Sequence, residues 1–192
     1  AWGDGCIEVR SILKINGWRS SKYGRGIIIL GISMGAALAL HLASKFPVNG
    51  VIAAATVLTF RKYFKVNVLN PLFHRLIKTR FKKSEISSKN RAQYIPHGYS
   101  MWPNVALNEY RKMTYQIIKE LPKVKCPTLL IHSKSDITSL IKNYHLIKDS
   151  ISSESIDSLI VDRSPHTILD TGDDREIIFD AISSFIDKNI KH

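Results

Sequence analysis

Cysteine is scarce in this sequence, and long apolar runs are missing from it. The 192 residues include two cysteines, Cys6 and Cys126, too few for the disulfide framework of a small secreted protein. This scarcity favours a reducing compartment, and we therefore expect a cytoplasmic location. No apolar stretch reaches the roughly 20 residues that a membrane-spanning helix needs, and the first twenty residues lack the pattern of a signal peptide.

Motifs for metals and cofactors are also missing. The histidines show no metal-ligand spacing. The sequence contains no phosphate loop and no dinucleotide fingerprint. We therefore expect neither a metal nor an organic cofactor.

Acidic residues are few, and their shortage is concentrated in one segment. The chain carries 28 Lys and Arg against 16 Asp and Glu, a net charge of +12. Residues 61–91 contain ten of the basic residues and a single acid, Glu85. Such a segment suits an anionic membrane, acidic ligands or nucleic acid. No nucleic-acid-binding motif accompanies it, so nucleic acid is not an expected partner.

Short apolar runs alternate with helical patterns along most of the chain. The predicted strands cover residues 27–30, 51–55, 128–131 and 158–161. The predicted helices cover residues 4–16, 34–46, 105–121, 138–148 and 173–188. Short, fully apolar runs are typical of strands buried on both faces. The alternation predicts an α/β fold, a mostly parallel sheet with helices on both faces.

Residues 61–104 interrupt this alternation and are predicted to be an insertion into a core of residues 1–60 and 105–192. Apolar residues recur in it at helical spacing, namely Leu72, Phe73, Leu76, Ile77 and Phe81. With basic residues on the other faces, they predict a basic amphipathic helix. Such a helix can lie on an anionic membrane or cover an acyl pocket. The alternative is an ordinary covering helix with a solvated charged face.

A serine flanked by glycines stands between a predicted strand and a predicted helix. Residues 26–40 read GIIILGISMGAALAL, with Ser33 in a Gly-x-Ser-x-Gly pattern. This context predicts a nucleophile elbow, a strained turn that lifts the serine hydroxyl above the sheet. Gly31 and Gly35 are expected to give the space for it. The backbone N–H of Met34 is then a predicted oxyanion donor. The alternative is a glycine-rich turn with an incidental serine.

A nucleophilic serine needs a base and an acid that orients the base. Asp136 and His166 each follow a predicted strand, so both lie where open α/β sheets place their sites. In α/β folds that carry a nucleophile elbow, the order along the chain is serine, acid, histidine, as it is here. Asp162 and Asp170 remain rival acids. A helix-capping aspartate and a loop histidine are the alternative interpretations.

Three stretches of the sequence resemble the α/β-hydrolase superfamily, in particular its carboxylesterase and monoacylglycerol-lipase-like serine hydrolases. They are GISMG at 31–35, CPTLLIHSKSD at 126–136 and SPHTILD at 164–170. The resemblance covers essentially the whole chain apart from the insertion. It implies an α/β-hydrolase fold with Ser33 as nucleophile, His166 as base and Asp136 as its orienting acid. It also implies that residues 61–104 form a cap or lid over the site.

The amino-terminal end departs from this family's pattern. Family members have several strands and an oxyanion loop before the helix at which this chain starts, and that loop supplies a second oxyanion N–H. Without those strands, residues 27–30 would be a bare apolar edge, which soluble proteins avoid. We therefore expect a preceding segment or a partner chain to complete the sheet, or the chain to be a truncated product.

These observations predict a serine hydrolase that cleaves carboxylic esters, with acylglycerols or short-to-medium acyl esters as substrates. Thioesterase, peptidase and acyltransferase activities are compatible with the same fold. The alternative from another class is a non-catalytic or truncated α/β-hydrolase-like fragment that acts as a binding module.

Overall fold

The computed structural model of the chain describes residues 26–77, 79–81, 101–170 and 172–190. Its six strands are β1 (Ile28–Ile32), β2 (Gly50–Ala54), β3 (Thr79–Phe81), β4 (Met101–Pro103), β5 (Thr128–Ser133) and β6 (Ile156–Val161). The main sheet is parallel with the order β1-β2-β5-β6, and β3 and β4 form a separate antiparallel pair. The predicted α/β fold class is confirmed.

Five α-helices connect or cover these strands within the described residues. They are α1 (Met34–Lys45), α2 (Asn70–Phe73), α3 (Asn104–Glu120), α4 (Lys142–Ser150) and α5 (Arg175–Asn189). A π-helical turn, Lys65–Leu69, leads into α2, and a 3₁₀ turn, Leu121–Lys123, follows α3. None of the helices in this described part of the chain has the length and apolar character needed to cross a bilayer.

The core consists of two layers, one on each face of the main sheet. Neighbouring residues of a strand point to opposite faces, so Val51 packs with α1, α3 and α4, whereas Ile52 packs with α5. Leu130 and Leu129 of β5 divide in the same way. Because both faces are covered, the central strands are apolar at successive positions rather than at alternate ones.

The register of the sheet brings the carboxyl ends of its strands to one edge. Ile32 of β1 lies opposite Ala54 of β2, Ala54 lies opposite Ile131 of β5, and Ser133 of β5 lies opposite Val161 of β6. Loops that leave these ends therefore meet, which is the general location of sites in open α/β sheets.

Two predicted boundaries move for physical reasons. The strand predicted at 128–131 continues to Ser133, because its last two residues pair with β6. The helix predicted at 138–148 begins at Lys142, because the carboxylate of Asp136 binds the backbone N–H groups of Thr138 and Ser139 in a turn. The other predicted elements within the described residues differ by one or two residues, and the helix predicted at 4–16 lies outside them.

The basic amphipathic helix predicted from the apolar spacing of residues 72–81 is wrong. Helix α2 ends at Phe73, and Thr79–Phe81 is a strand that pairs with β4. The side chain of Asn104 donates to the carbonyl of Ile77 at 2.5 Å, which fixes the chain in a non-helical path before β3. The assignment of residues 61–104 to a cap stays a prediction.

Candidate active site

Ser33 lies in a strained turn between β1 and α1. Its backbone angles are φ 56° and ψ −115°, in the positive-φ region that side chains other than glycine rarely adopt. Its N–H donates to the carbonyl of Ala54 at 2.9 Å, which holds the turn against the end of β2. The strained turn predicted at Ser33 is therefore present, and the role of Ser33 as a nucleophile stays a prediction.

Only one of the two flanking glycines is crowded. A Cβ added to Gly31 would lie 2.2 Å from the carbonyl oxygen of Gly35, inside the first turn of α1. A Cβ added to Gly35 would meet no atom within 4 Å. The expectation that Gly35 as well as Gly31 gives space for the turn is therefore wrong for Gly35. The close approach is between the Cα of Gly31 and the backbone of the helix.

The structure brings the three predicted site residues into one hydrogen-bonded line. Nε2 of His166 lies 2.8 Å from Oγ of Ser33, and Nδ1 of His166 lies 2.7 Å from Oδ2 of Asp136. Ser33 is 133 positions from His166 in the sequence, yet the loops after β1, β5 and β6 converge here. This arrangement can move a proton from the serine hydroxyl to the imidazole.

Asp136 is well placed to orient the imidazole, and its rivals are not. Asp136 is 3 % exposed, and its Oδ1 accepts hydrogen bonds from two backbone N–H groups at 2.7 and 2.8 Å. Asp162 is exposed and binds Lys134 at 2.8 Å, and this cation lowers the pKa of the Asp162 carboxyl. Asp170 is also exposed.

Met34 is the first residue of α1, directly after the serine. The first N–H groups of a helix have no partner within the helix, and the helix dipole adds positive potential at this end. The position therefore suits an oxyanion donor. The role of the Met34 N–H stays a prediction. Within the described residues no group of three or more His, Cys, Asp or Glu is placed to hold a metal ion.

Sequence reasoning missed a polar cluster beneath the site. His132, Ser139 and Thr56 are fully buried there, and Nε2 of His132 lies 3.1 Å from Oγ of Ser139. Burial lowers the pKa of His132 to about 4. The only sequence signal was that His132 stands in the acid motif, at the end of an apolar strand.

The chain that leaves β2 presents an apolar and basic surface close to this edge. Thr59 is tied to α4, because its N–H donates to Oδ1 of Asn143 at 2.7 Å. Beyond it, the exposed apolar side chains include Tyr63, Phe64, Leu72, Leu76 and Ile77, with Leu76 79 % exposed. Exposed cations stand among them, namely Arg61, Lys62, Lys65 and Arg75. We call residues 61–77 the basic segment.

Comparisons with known proteins agree with this architecture. A family model described as serine aminopeptidase, S33 (S33 is the label of the family) matches residues 12–173. No curated protein sequence matches the chain.

Several solved structures are similar in fold. Monoglyceride lipase from Saccharomyces cerevisiae, in a soluble variant, has a TM-score of 0.77 at 14% identity, covering 97% of this chain and 69% of that one. Monoacylglycerol lipase from Paleococcus ferrophilus has a TM-score of 0.72 at 17% identity, covering 94% and 76%. A structure from work on the metagenome-derived lipolytic enzymes LipS and LipT has a TM-score of 0.69 at 24% identity. The match covers 84% of this chain, which spans 64% of that protein's length.

Proposed function

Because the chain belongs to the serine aminopeptidase, S33 family and has an α/β-hydrolase fold, we propose that it is a serine hydrolase that cleaves carboxylic esters. One observation carries the proposal, the hydrogen-bonded line from Ser33 Oγ through His166 to the buried carboxylate of Asp136. Each residue in this line has the chemistry that acyl transfer needs, namely a nucleophile, a base and an anion that orients the base.

In the first half of the proposed reaction, Ser33 Oγ attacks the ester carbonyl while His166 Nε2 takes the hydroxyl proton. The imidazolium formed is stabilised by Asp136, which binds Nδ1–H and stays ionised. The Met34 N–H donates to the oxyanion of the tetrahedral intermediate. The intermediate then collapses, the C–O bond to the alcohol breaks, and His166 returns its proton to the leaving oxygen.

In the second half, water replaces the alcohol. His166 takes a proton from the water as its oxygen attacks the acyl carbonyl on Ser33. The new tetrahedral intermediate releases the carboxylic acid, and the proton returns to Ser33 Oγ. The balance is one water consumed for one ester cleaved, and no cofactor enters the sequence of steps.

The proposed substrates are acylglycerols or other esters of short to medium acyl chains. Two of the similar structures are described as monoglyceride or monoacylglycerol lipases, which supports this substrate class. The exposed apolar side chains of the basic segment suit an acyl chain. A peptide that is cleaved by an aminopeptidase carries a cationic amino terminus. The basic segment contains cations and no acid, so this segment disfavours such a substrate.

We also propose that an anionic lipid surface is the partner of the basic segment. Exposed apolar side chains can enter the interface, while neighbouring cations meet lipid phosphates. Arg61, Lys62 and Lys65 are exposed beside Tyr63 and Phe64, so both contributions come from one short stretch. This would bring the site edge of the sheet to the bilayer that holds an ester substrate.

The second candidate is a non-catalytic binding module, and the edge position of β1 favours it. Among the described residues β1 has a sheet neighbour on one side, β2, and Leu30 is 44 % exposed. An open apolar edge can pair with a strand of another chain or of another segment. The two candidates differ in the chemistry of Ser33, which is the subject of the first test.

Labelling by a fluorophosphonate probe tests the nucleophile. The probe forms a covalent bond with an activated serine, and we expect it on Ser33. Ser33→Ala should abolish both labelling and ester hydrolysis, whereas the matched variant Ser135→Ala should retain both. Peptide mapping by mass spectrometry identifies the labelled residue. Absence of labelling in the folded protein would favour the binding module, and labelling at Ser133 or Ser164 would contradict the assignment.

The acid is tested by Asp136→Asn. An asparagine keeps the acceptor for the two backbone N–H groups but no longer stabilises the required tautomer of His166. We expect the ester hydrolysis rate to fall on the order of 10⁴-fold with the fold intact. Asp162→Asn, in an exposed pair with Lys134, serves as the control and should keep the wild-type rate. A wild-type rate in Asp136→Asn together with a large loss of rate in Asp162→Asn would assign the orienting acid to Asp162 instead.

A further inference from the structure

A buried polar cluster joins the acid loop to the end of β2. The imidazole of His132 is fully buried, and its Nε2 lies 3.1 Å from the hydroxyl oxygen of Ser139. That hydroxyl donates to the backbone carbonyl of Thr56. The backbone N–H of Ser139 donates to Oδ1 of Asp136 at 2.8 Å. The cluster therefore leads from a buried imidazole to the carboxylate that binds His166.

The proton positions in this cluster follow from donor and acceptor chemistry. A hydroxyl has one proton and the Thr56 carbonyl can only accept, so Ser139 gives its proton to Thr56. Nε2 of His132 must then donate to the Ser139 oxygen, which leaves Nδ1 without a proton. Within the described residues, Nδ1 of His132 and Oγ1 of Thr56 are buried without a hydrogen-bond partner.

The surroundings of His132 keep its imidazole uncharged, in this tautomer, at pH values near neutral. Burial lowers its pKa to about 4, and the positive forms of His166 and His145 act in the same direction. Hydrogen bonding to the Thr56 backbone and the negative charge of Asp136 act in the opposite direction and raise the pKa of His132. The ring of Tyr144 meets the imidazole edge-on at 5.9 Å. His132 is therefore a steady N–H donor rather than a group that titrates with the reaction.

We propose that His132 and Ser139 are positioning residues for the carboxylate of Asp136. Oδ1 of Asp136 is bound by backbone N–H groups of its own loop, so the carboxylate turns with that loop. The Ser139 hydroxyl ties the loop to β2, and the His132 N–H holds the oxygen of that hydroxyl. Together they keep Oδ2 aligned with Nδ1 of His166. The inference rests on the proposed function, because it requires His166 to act as a base.

Ser139→Ala tests the tie, because it removes the hydroxyl and keeps the backbone N–H that binds Asp136. We expect kcat for a soluble short-chain ester to fall on the order of 10²-fold with KM unchanged. The acidic limb of the kcat profile should move to lower pH, because a carboxylate that is held less firmly gives the imidazolium form of the base less stabilisation. Ser135→Ala is the matched control. Its hydroxyl donates to the carbonyl of Asp162 instead, and kcat and its pH profile should be unchanged.

Variants of His132 separate the N–H from the ring. His132→Phe keeps a ring and removes the donor, so it should lower kcat and move the acidic limb as Ser139→Ala does. The double variant should be no slower than the slower single variant, because both changes act through the Ser139 oxygen. His132→Gln restores an N–H donor and should recover part of kcat.

A wild-type pH profile in Ser139→Ala, with turnover still lost in Ser33→Ala, would overturn this inference and leave the proposed function intact. Turnover that survives Ser33→Ala would overturn the proposed function itself. If Ser139→Ala does not fold, the comparison at His132 decides. Equal kcat and equal pH profiles for His132→Phe and His132→Gln would contradict a role for the N–H.

Discussion

At the scale of single residues, the candidate site depends on a strained backbone that its neighbours hold in place. Ser33 has a positive φ, which is a cost of about 1–3 kcal/mol for a residue with a side chain. The approach of Gly31 to the first turn of α1 makes the tight turn sterically possible. The close packing of the turn against α1 therefore requires a glycine at position 31, and Gly35 is free of that constraint.

This asymmetry predicts opposite effects of two substitutions that the motif alone treats as equivalent. Gly31→Ala should destabilise the protein by about 3 kcal/mol, because its Cβ would overlap the Gly35 carbonyl. Gly35→Ala should be neutral or stabilising by up to about 1 kcal/mol, because alanine is the better helix former. Urea unfolding measures both. Equal destabilisation by the two variants would contradict the geometry.

At the scale of elements, α1 is held in place by apolar contacts and by one buried carboxylate. Glu120, at the end of α3, accepts hydrogen bonds from His41 Nδ1 at 2.7 Å and from Lys45 Nζ at 2.6 Å, both on α1. Gln116 donates to the same carboxylate at 3.1 Å. The group is buried but its charge is compensated, which is the condition for a buried carboxylate to stabilise a fold.

The link predicts a loss of stability in acid. Burial acts to raise the pKa of Glu120, but the hydrogen bonds from Lys45, Gln116 and His41 outweigh it, and the folded-state pKa lies below the ordinary 4.5. The contribution of Glu120 is therefore fully present above pH 4.5 and is lost as the pH falls through the lower folded-state pKa. Glu120→Gln should lower the free energy of unfolding by about 2 kcal/mol at neutral pH. The two proteins should converge in acid.

Urea unfolding at a series of pH values measures this difference. Glu109→Gln is the control, because Glu109 forms a surface pair with Lys112 on the same helix. Such pairs contribute on the order of 0.5 kcal/mol. A Glu120 effect that is no larger than the Glu109 effect, or that persists unchanged in acid, would show that apolar packing alone holds α1 against α3.

At the scale of the whole molecule, exposed cations lie at both edges of the sheet. The basic segment follows β2 and therefore begins at the carboxyl edge of the sheet, where Ser33, Asp136 and His166 meet. Other exposed cations, such as Lys123 and Lys125, lie just before β5, at the opposite edge. Charge alone therefore does not distinguish the site edge, and what marks the basic segment is that exposed apolar side chains stand among its cations.

Binding to anionic vesicles tests the lipid partner. We expect the protein to co-sediment with phosphatidylserine-containing vesicles, and higher salt should weaken that binding because it screens the charges. Each basic residue near the surface contributes about 1 kcal/mol. Replacing Arg61, Lys62 and Lys65 with Gln should therefore weaken binding on the order of 10²-fold. Hydrolysis of a soluble short-chain ester should stay the same.

The control for this experiment removes the same charge elsewhere. Lys119, Lys123 and Lys125 are exposed around the end of α3, and their replacement with Gln should leave vesicle binding within about twofold of wild type. Equal weakening by both triple variants would indicate attraction by net charge alone. Absence of wild-type binding would reject the lipid partner and leave the basic segment as a solvated surface.

Local chemistry in the sequence determined much of this protein. Buried strands are short apolar runs, helices follow a 3.6-residue period, and a glycine-flanked serine marks a tight turn, so each can be recognised within a few residues. The α/β fold class and the order of its main elements follow from such patterns. Ser33, Asp136 and His166 can also be selected from the sequence, because each of them follows a predicted strand and they occur in the expected order.

Tertiary structure alone decided what depends on contacts between distant segments. It placed Asp136 rather than Asp162 against His166. It ended the helix at Phe73, although apolar residues continue at helical spacing to Phe81, and it buried His132. A local pattern cannot report these outcomes, because the partner groups lie tens of residues away, as Thr56 and Ser139 do. Their hydrogen bonds and close contacts exist only once the sheet has brought its strand ends together.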